Sequence, residues 1–120
     1  VTYDGIKNAI DCILSRFHEP LSLEEILKVS GMSKATFSRH FRSHTGKPFT
    51  RFLSEIRVDA AARKLISTNQ PISDIAFEVG FESLSHFNHT FKKVRGLSPR
   101  QFRLRPNNEE LLRLPAESLC

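Results

Sequence analysis

Cysteine occurs only at Cys12, inside a helical apolar pattern, and at Cys120, the last residue. Two such cysteines supply neither a disulfide scaffold nor a thiolate zinc site, and they suit a reducing cytoplasm. Trp is absent and Tyr occurs once, against ten Phe, so the core has to be built around Phe side chains. No apolar run approaches the ~18 residues of a membrane span, and no charged-then-apolar leader opens the chain, so a soluble, unexported protein is expected. No segment alternates with the two-residue period of a strand, which leaves an all-α class. Paired-carboxylate, glycine-rich phosphate-loop and nucleophile motifs are all missing, so neither an enzyme nor a cofactor is expected.

Acids are also missing, but locally. From Ile26 to Ser54 the chain carries Lys28, Lys34, Arg39, Arg42, Lys47 and Arg51 without one Asp or Glu. From Ser83 to Asn108 it carries Lys92, Lys93, Arg95, Arg100, Arg103 and Arg105, again without an acid. Twelve of the 18 basic residues and none of the 13 acids fall in these windows, so the rest of the chain is net negative although the whole is +5. Charge sorted this way marks a phosphate-facing surface more than a merely soluble one.

The two basic windows also repeat one another. Ile26 and Gly31 recur as Ile75 and Gly80 at an offset of 49, and Phe37, Phe41, Gly46 and Phe52 recur as Phe87, Phe91, Gly96 and Phe102 at an offset of 50. The second turn therefore holds one extra residue. Each copy reads as a helix-turn-helix, and two copies make a duplicated motif rather than a solenoid.

About seven helices are expected. Ile6, Ile10, Ile13, Leu14 and Phe17 place the first over about Asp4 to His18, with Asp4 as cap and Pro20 after its end. Ser22 and Glu25 form a capping-box pattern for a second helix ending at Gly31, and Ser33 caps a third ending at Gly46. Pro48 opens a long linker helix whose Phe49, Phe52, Leu53, Ile56, Ala60 and Leu65 follow one apolar stripe to about Ser67. About twenty residues at 1.5 Å each give roughly 30 Å, near the ~34 Å between successive major-groove faces, so this helix suits a spacer between two readers. A helix through Ile75, Ala76 and Val79, another from about Ser83 to Arg95, and a short one from Ser98-Pro99 to about Arg105 complete the second copy. Leu111, Leu112 and Leu114 suggest a small amphipathic tail.

A groove-reading helix needs an apolar side against its own domain and short polar or basic groups opposite. Phe37 and Phe41 anchor the first such helix, leaving Ala35, Ser38, Arg39 and Arg42 outward with Thr36 at the margin. Phe87 and Phe91 anchor the second, leaving Ser85, Asn88, His89 and Lys92 outward with His86 at the margin. Arg39 suits guanine O6 and N7, Asn88 suits adenine N6 and N7, and Ala35 with the Thr36 methyl suits thymine. Ser38, Ser85 and the outer basic residues suit phosphate or water. His40 with His44, and His86 with His89, have metal-compatible spacing but no Cys or carboxylate beside them, so no metal site is expected.

Gly31-Met32-Ser33, Phe37-Ser38-Arg39, Phe41-Arg42 and Gly46-Lys47-Pro48, followed by Ile75-Ala76, Val79-Gly80-Phe81, Phe87, Phe91-Lys92-Lys93, Gly96, Ser98-Pro99 and Phe102-Arg103, together resemble the AraC/XylS family of bacterial transcription regulators. The likeness runs from about Ile6 to Arg105. It implies two helix-turn-helix lobes joined by the long helix, binding asymmetric double-stranded DNA through adjacent major-groove faces, with RNA polymerase as a partner in activation. It places Ala35, Thr36, Ser38, Arg39, Leu84, Ser85, His86, Asn88 and His89 in the groove. Ser33, Lys34, Arg42, Lys47, Lys92, Lys93, Ser98 and Arg103 are the expected phosphate contacts. The expected organisation is a DNA-binding domain over 1–105, with lobe one at about 4–47, the linker at about 48–67 and lobe two at about 71–105, then a tail over 106–120.

Three features depart from the family pattern. Leu27 stands where Ala is usual, His89 replaces a frequent Arg, and the sensor domain through which family members meet a small-molecule effector is not in the sequence. With Val1 first and the sole Met at 32, the chain is expected to be the output domain of a longer regulator. Two other functions stay open: the DNA-targeting module of a DNA-repair methyltransferase, and a helical protein-interaction module.

Overall fold

The computed structural model describes residues 2–105. They form α1 (Thr2–Arg16), α2 (Leu23–Ser30), α3 (Lys34–Thr45), α4 (Phe49–Ser67), α5 (Ile72–Glu78), α6 (Leu84–Arg95) and α7 (Pro99–Leu104), with no strand among them. The expected tail at Leu111, Leu112 and Leu114 lies outside the described residues.

Helix ends follow local chemistry. α1 begins at Thr2, so Asp4 is not its cap but lies in its first turn, where a carboxylate favours the helix dipole. It stops at Arg16, two residues before the expected His18, and the chain turns toward Pro20. Ser22 supplies half of its expected box, its Oγ accepting from Glu25 N at 3.2 Å. The Glu25 carboxylate accepts instead from Arg16 Nη2 at 3.1 Å, a charged donor that outcompetes a neutral backbone N–H. A complete capping box forms at α7, between Ser98 and Gln101.

The extra residue of the second turn is visible in its backbone. α2 closes on Gly31 in the left-handed region at φ 70°, directly followed by Met32 and the cap Ser33. α5 closes through Val79 to Gly80 at φ 108°, a value side chains avoid, and Phe81 and Glu82 precede the cap Ser83.

The described residues divide into two compact units, with the boundary between Ile56 and Arg57. The first buries Ile6, Ala9, Ile13, Leu21, Ile26, Phe37, Phe41, Phe49 and Leu53, with Leu27 packed at the edge of that core. The second buries Val58, Ala61, Ala62, Leu65, Ile75, Ala76, Val79, Phe81, Phe87, Phe91 and Phe102. Duplication extends to ring packing. Phe41 meets Phe52 edge-on at 5.2 Å in one unit, and Phe91 meets Phe102 edge-on at 5.5 Å in the other.

The single stripe expected along α4 is in fact two. Phe49 and Leu53 are buried in the first half, and Val58, Ala61, Ala62 and Leu65 in the second, while Ile56 and Ala60 are only half-buried. Each half of the helix buries the residues that belong to its own unit's core.

Candidate nucleic-acid interface

Each reading helix is held by what it buries. In α3, Phe37 and Phe41 are 1% and 0% exposed, and in α6, Phe87 and Phe91 are both 0%, so the opposite face of each helix has no freedom to turn inward. Ser33 caps α3 by accepting from Thr36 N at 3.3 Å, and Ser83 caps α6 by accepting from His86 N at 3.1 Å.

The outward residues fall as the periodicity requires. Ala35, Ser38 and Arg39 are exposed on α3, and Thr36 is half-buried with its Oγ1 accepting from Ser33 Oγ at 3.0 Å. Leu84, Ser85, His86, Asn88 and His89 are exposed on α6. His86 also packs its ring edge-on against the buried Phe81, with centroids 5.4 Å apart. Among the described residues, no three His, Cys, Asp or Glu gather where they could hold a metal ion.

The expected phosphate contacts divide into two groups. Lys34, Arg42, Lys92 and Lys93 are exposed. Ser33 and Ser98 spend their hydroxyls as helix caps, Ser98 Oγ accepting from Gln101 N at 3.1 Å. Lys47 and Arg103 point elsewhere than to open solvent. Lys47 Nζ donates to Glu55 Oε1 at 2.9 Å, and Arg103 donates through Nε to Leu65 O at 2.9 Å and through Nη2 to Thr68 O at 3.3 Å. Arg103 thereby satisfies carbonyls at and just past the end of α4 that the helix itself leaves without donors. Arg95, in the second basic window, is likewise buried and paired with Asp59. Sequence windows count charge but not direction, and each of these three cations has an acceptor within its own unit.

Two features escaped the sequence reading. Burial pushes the Arg57 guanidinium down from its ordinary value while Glu82, in the second turn, pulls it back up. The other is a division among helix starts. The first turns of α3, α4, α6 and α7 hold no acid, whereas α1 has Asp4, α2 has Glu24 and Glu25, and α5 has Asp74. A carboxylate favours a helix start unless another anion is to approach it.

Known proteins share this fold. A family model described as a helix-turn-helix domain matches residues 26–105. An AraC-type DNA-binding-domain transcriptional regulator from Chromobacterium violaceum superposes with a TM-score of 0.77 at 26% identity, over 88% of this chain and 96% of that one. The chain belongs to the AraC-type helix-turn-helix family. The DNA-binding domain of AdpA, a global transcriptional factor solved with a target DNA, gives a TM-score of 0.79 at 29% identity over 82% of this chain and 89% of that one. The C-terminal domain of AraT, a response regulator from Geobacillus stearothermophilus, gives 0.78 at 34% identity over 82% and 83%.

Among curated relatives, an HTH-type transcriptional regulator from Staphylococcus aureus is 36% identical over 100 residues, 83% of this chain but 13% of that protein. One from Haemophilus influenzae is 36% identical over 98 residues, 82% of this chain and 33% of its own length. This AraC-type chain is therefore a DNA-binding domain of a transcription regulator, and it spans a third or less of these relatives. No helix among its described residues is long and apolar enough to cross a membrane.

Proposed function

We propose that this AraC-type domain reads double-stranded DNA with both α3 and α6, each entering its own major-groove segment. The observation that carries the reading is the pair of Phe-anchored helices, each with an outward face of short polar and basic side chains inside an acid-free window. Base edges are contacted by Ala35, Thr36, Ser38 and Arg39 from α3, and by Leu84, Ser85, His86, Asn88 and His89 from α6. Backbone phosphates are contacted by Lys34, Arg42, Lys92 and Lys93. Because the two faces carry different residues, the site is asymmetric. Its output is transcriptional activation through RNA polymerase in a bacterial cytoplasm, as the DNA-binding part of a longer, ligand-responsive regulator; of these, the greater length is supported by the small share of its relatives that the chain spans.

The test is selection of bound duplexes from a random DNA pool by the purified chain at ~150 mM salt. Two short non-palindromic boxes about 10 base pairs apart, one helical turn, are expected. One box alone means that a single lobe specifies sequence, and no enrichment refutes the reading.

A further inference from the structure

Glu55 is the only buried carboxylate among the described residues, with 6% of its surface exposed. A carboxylate withdrawn from water this far needs paired charge to be tolerated. It has two partners: Lys47 Nζ on Oε1 at 2.9 Å and Arg51 Nε on Oε2 at 2.8 Å. Two cations share this carboxylate, and they differ in how far they reach water. The Lys47 side chain is 21% exposed, whereas that of Arg51 is 61% exposed.

The guanidinium is a rigid planar fork. With Nε held by Glu55, its two Nη groups meet no hydrogen-bond partner among the described residues and remain in water. Arg51 lies in the first turn of α4, and Phe49 and Phe52 of that turn pack edge-on against Phe41 of α3, at 6.4 and 5.2 Å. The fork is thereby fixed on the turn that packs against the first reading helix.

Helix stability does not account for this arrangement. A cation in the first turn opposes the helix dipole, and Arg four residues before Glu is the weaker order for an intrahelical pair. Nor does the duplication account for it. At the offset of 50, Lys47, Arg51 and Glu55 correspond to Leu97, Gln101 and Arg105, and Gln101 completes a capping box instead. The cluster belongs to the first unit alone.

We infer that Arg51 is a DNA phosphate contact of the first lobe and that the buried Glu55 is its positioning residue, holding Nε so that the Nη edge faces the backbone. The inference rests on the proposed reading of DNA by α3. Phosphate is the matching anion because the window from Ile26 to Ser54 around the fork contains six basic residues and no acid.

The experiment is a salt titration of binding by the full 120-residue chain to a mixed-sequence duplex, comparing the parent with Arg51→Gln, Arg51→Lys and Glu55→Met. One lost phosphate contact makes the log–log salt slope shallower by about 0.9, or about eight-fold weaker binding at 0.1 M than the slope extrapolated from 1 M would otherwise give. Arg51→Gln should show this change. Arg51→Lys should show it too, because a lysine seated on Glu55 has no second edge to offer. Glu55→Met removes a negative charge, so bulk electrostatics predicts tighter binding. The inference predicts the opposite, the same shallower slope as Arg51→Gln, with no further loss when Arg51→Gln and Glu55→Met are combined.

A parental or steeper slope in Glu55→Met or Arg51→Lys overturns the positioning role, and a parental slope in Arg51→Gln overturns the phosphate contact. Should Glu55→Met fail to give the parental helical signal, the two Arg51 variants decide the matter by themselves. A parent that shows no salt-dependent binding instead overturns the DNA-binding reading beneath both.

Discussion

Gly5→Ala tests whether the fold around α1 is as tight as its geometry implies. By helix propensity alone the change should help, since Ala is favoured over Gly inside a helix by about 0.8–1 kcal/mol. The structure reverses the sign. A Cβ at Gly5 would lie 2.5 Å from Ser30 O and 2.9 Å from Met32 Cε, the first far inside any real carbon–oxygen contact. Met32 can swing its methyl aside. Ser30 cannot move as cheaply, because its Oγ donates to Leu27 O at 2.9 Å and accepts from Met32 N at 3.2 Å, which pins the turn between α2 and α3. Overpacking of this kind costs about 1–3 kcal/mol, so the net loss is about 1 kcal/mol, and a midpoint lower by about 4–8 °C is expected for a unit of this size. Thermal and urea unfolding followed by helical circular dichroism measure it. Because the displaced turn carries the cap of α3, the box read by the first lobe should weaken while the second is kept. A midpoint equal to or above the parent's would mean that the carbonyl gives way at no cost and that the contact is not tight.

Other outcomes follow from the same structure. Ser83→Ala removes the cap hydroxyl that accepts from His86 N, and should destabilise the second unit by about 1 kcal/mol; an unchanged urea midpoint would mean that the cap contributes nothing. Arg39→Ala should cost ~1–3 kcal/mol on the preferred duplex and relax one base position, whereas Lys92→Ala should weaken all duplexes alike; uniform losses in both would remove Arg39 from the base readers. The side-chain hydrogen bond from Lys64, then that from Gln70, hold the Glu78 carboxyl below the usual carboxylate range. A group whose folded value is lowered stabilises at neutral pH and loses that contribution as pH falls through the lowered value. The stability gap between the parent and Glu78→Gln should therefore narrow on acidification, and a gap that stays constant or widens contradicts the pairing.

The helical class, the duplication and the two outward faces are legible in the order of residues, because each depends on local rules. Helical period alone puts Phe37 and Phe41 opposite Ser38 and Arg39, and Phe87 and Phe91 opposite Asn88 and His89. Gly31 and Gly80 marked the turns for the same reason, since those backbone angles suit glycine. Which acceptor each cation meets is visible only once the chain is folded. Lys47, Arg95 and Arg103 read as members of basic windows, yet each meets an acceptor on another element or beyond its own turn: Glu55 for Lys47, Asp59 for Arg95, and the carbonyls of Leu65 and Thr68 for Arg103. Folding also split the apolar positions of α4 between two cores, and it turned Arg51 into a fork held on a buried acid. Periodicity records which side of a helix a residue occupies, whereas the partner that a long flexible cation finds depends on what folding brings beside it.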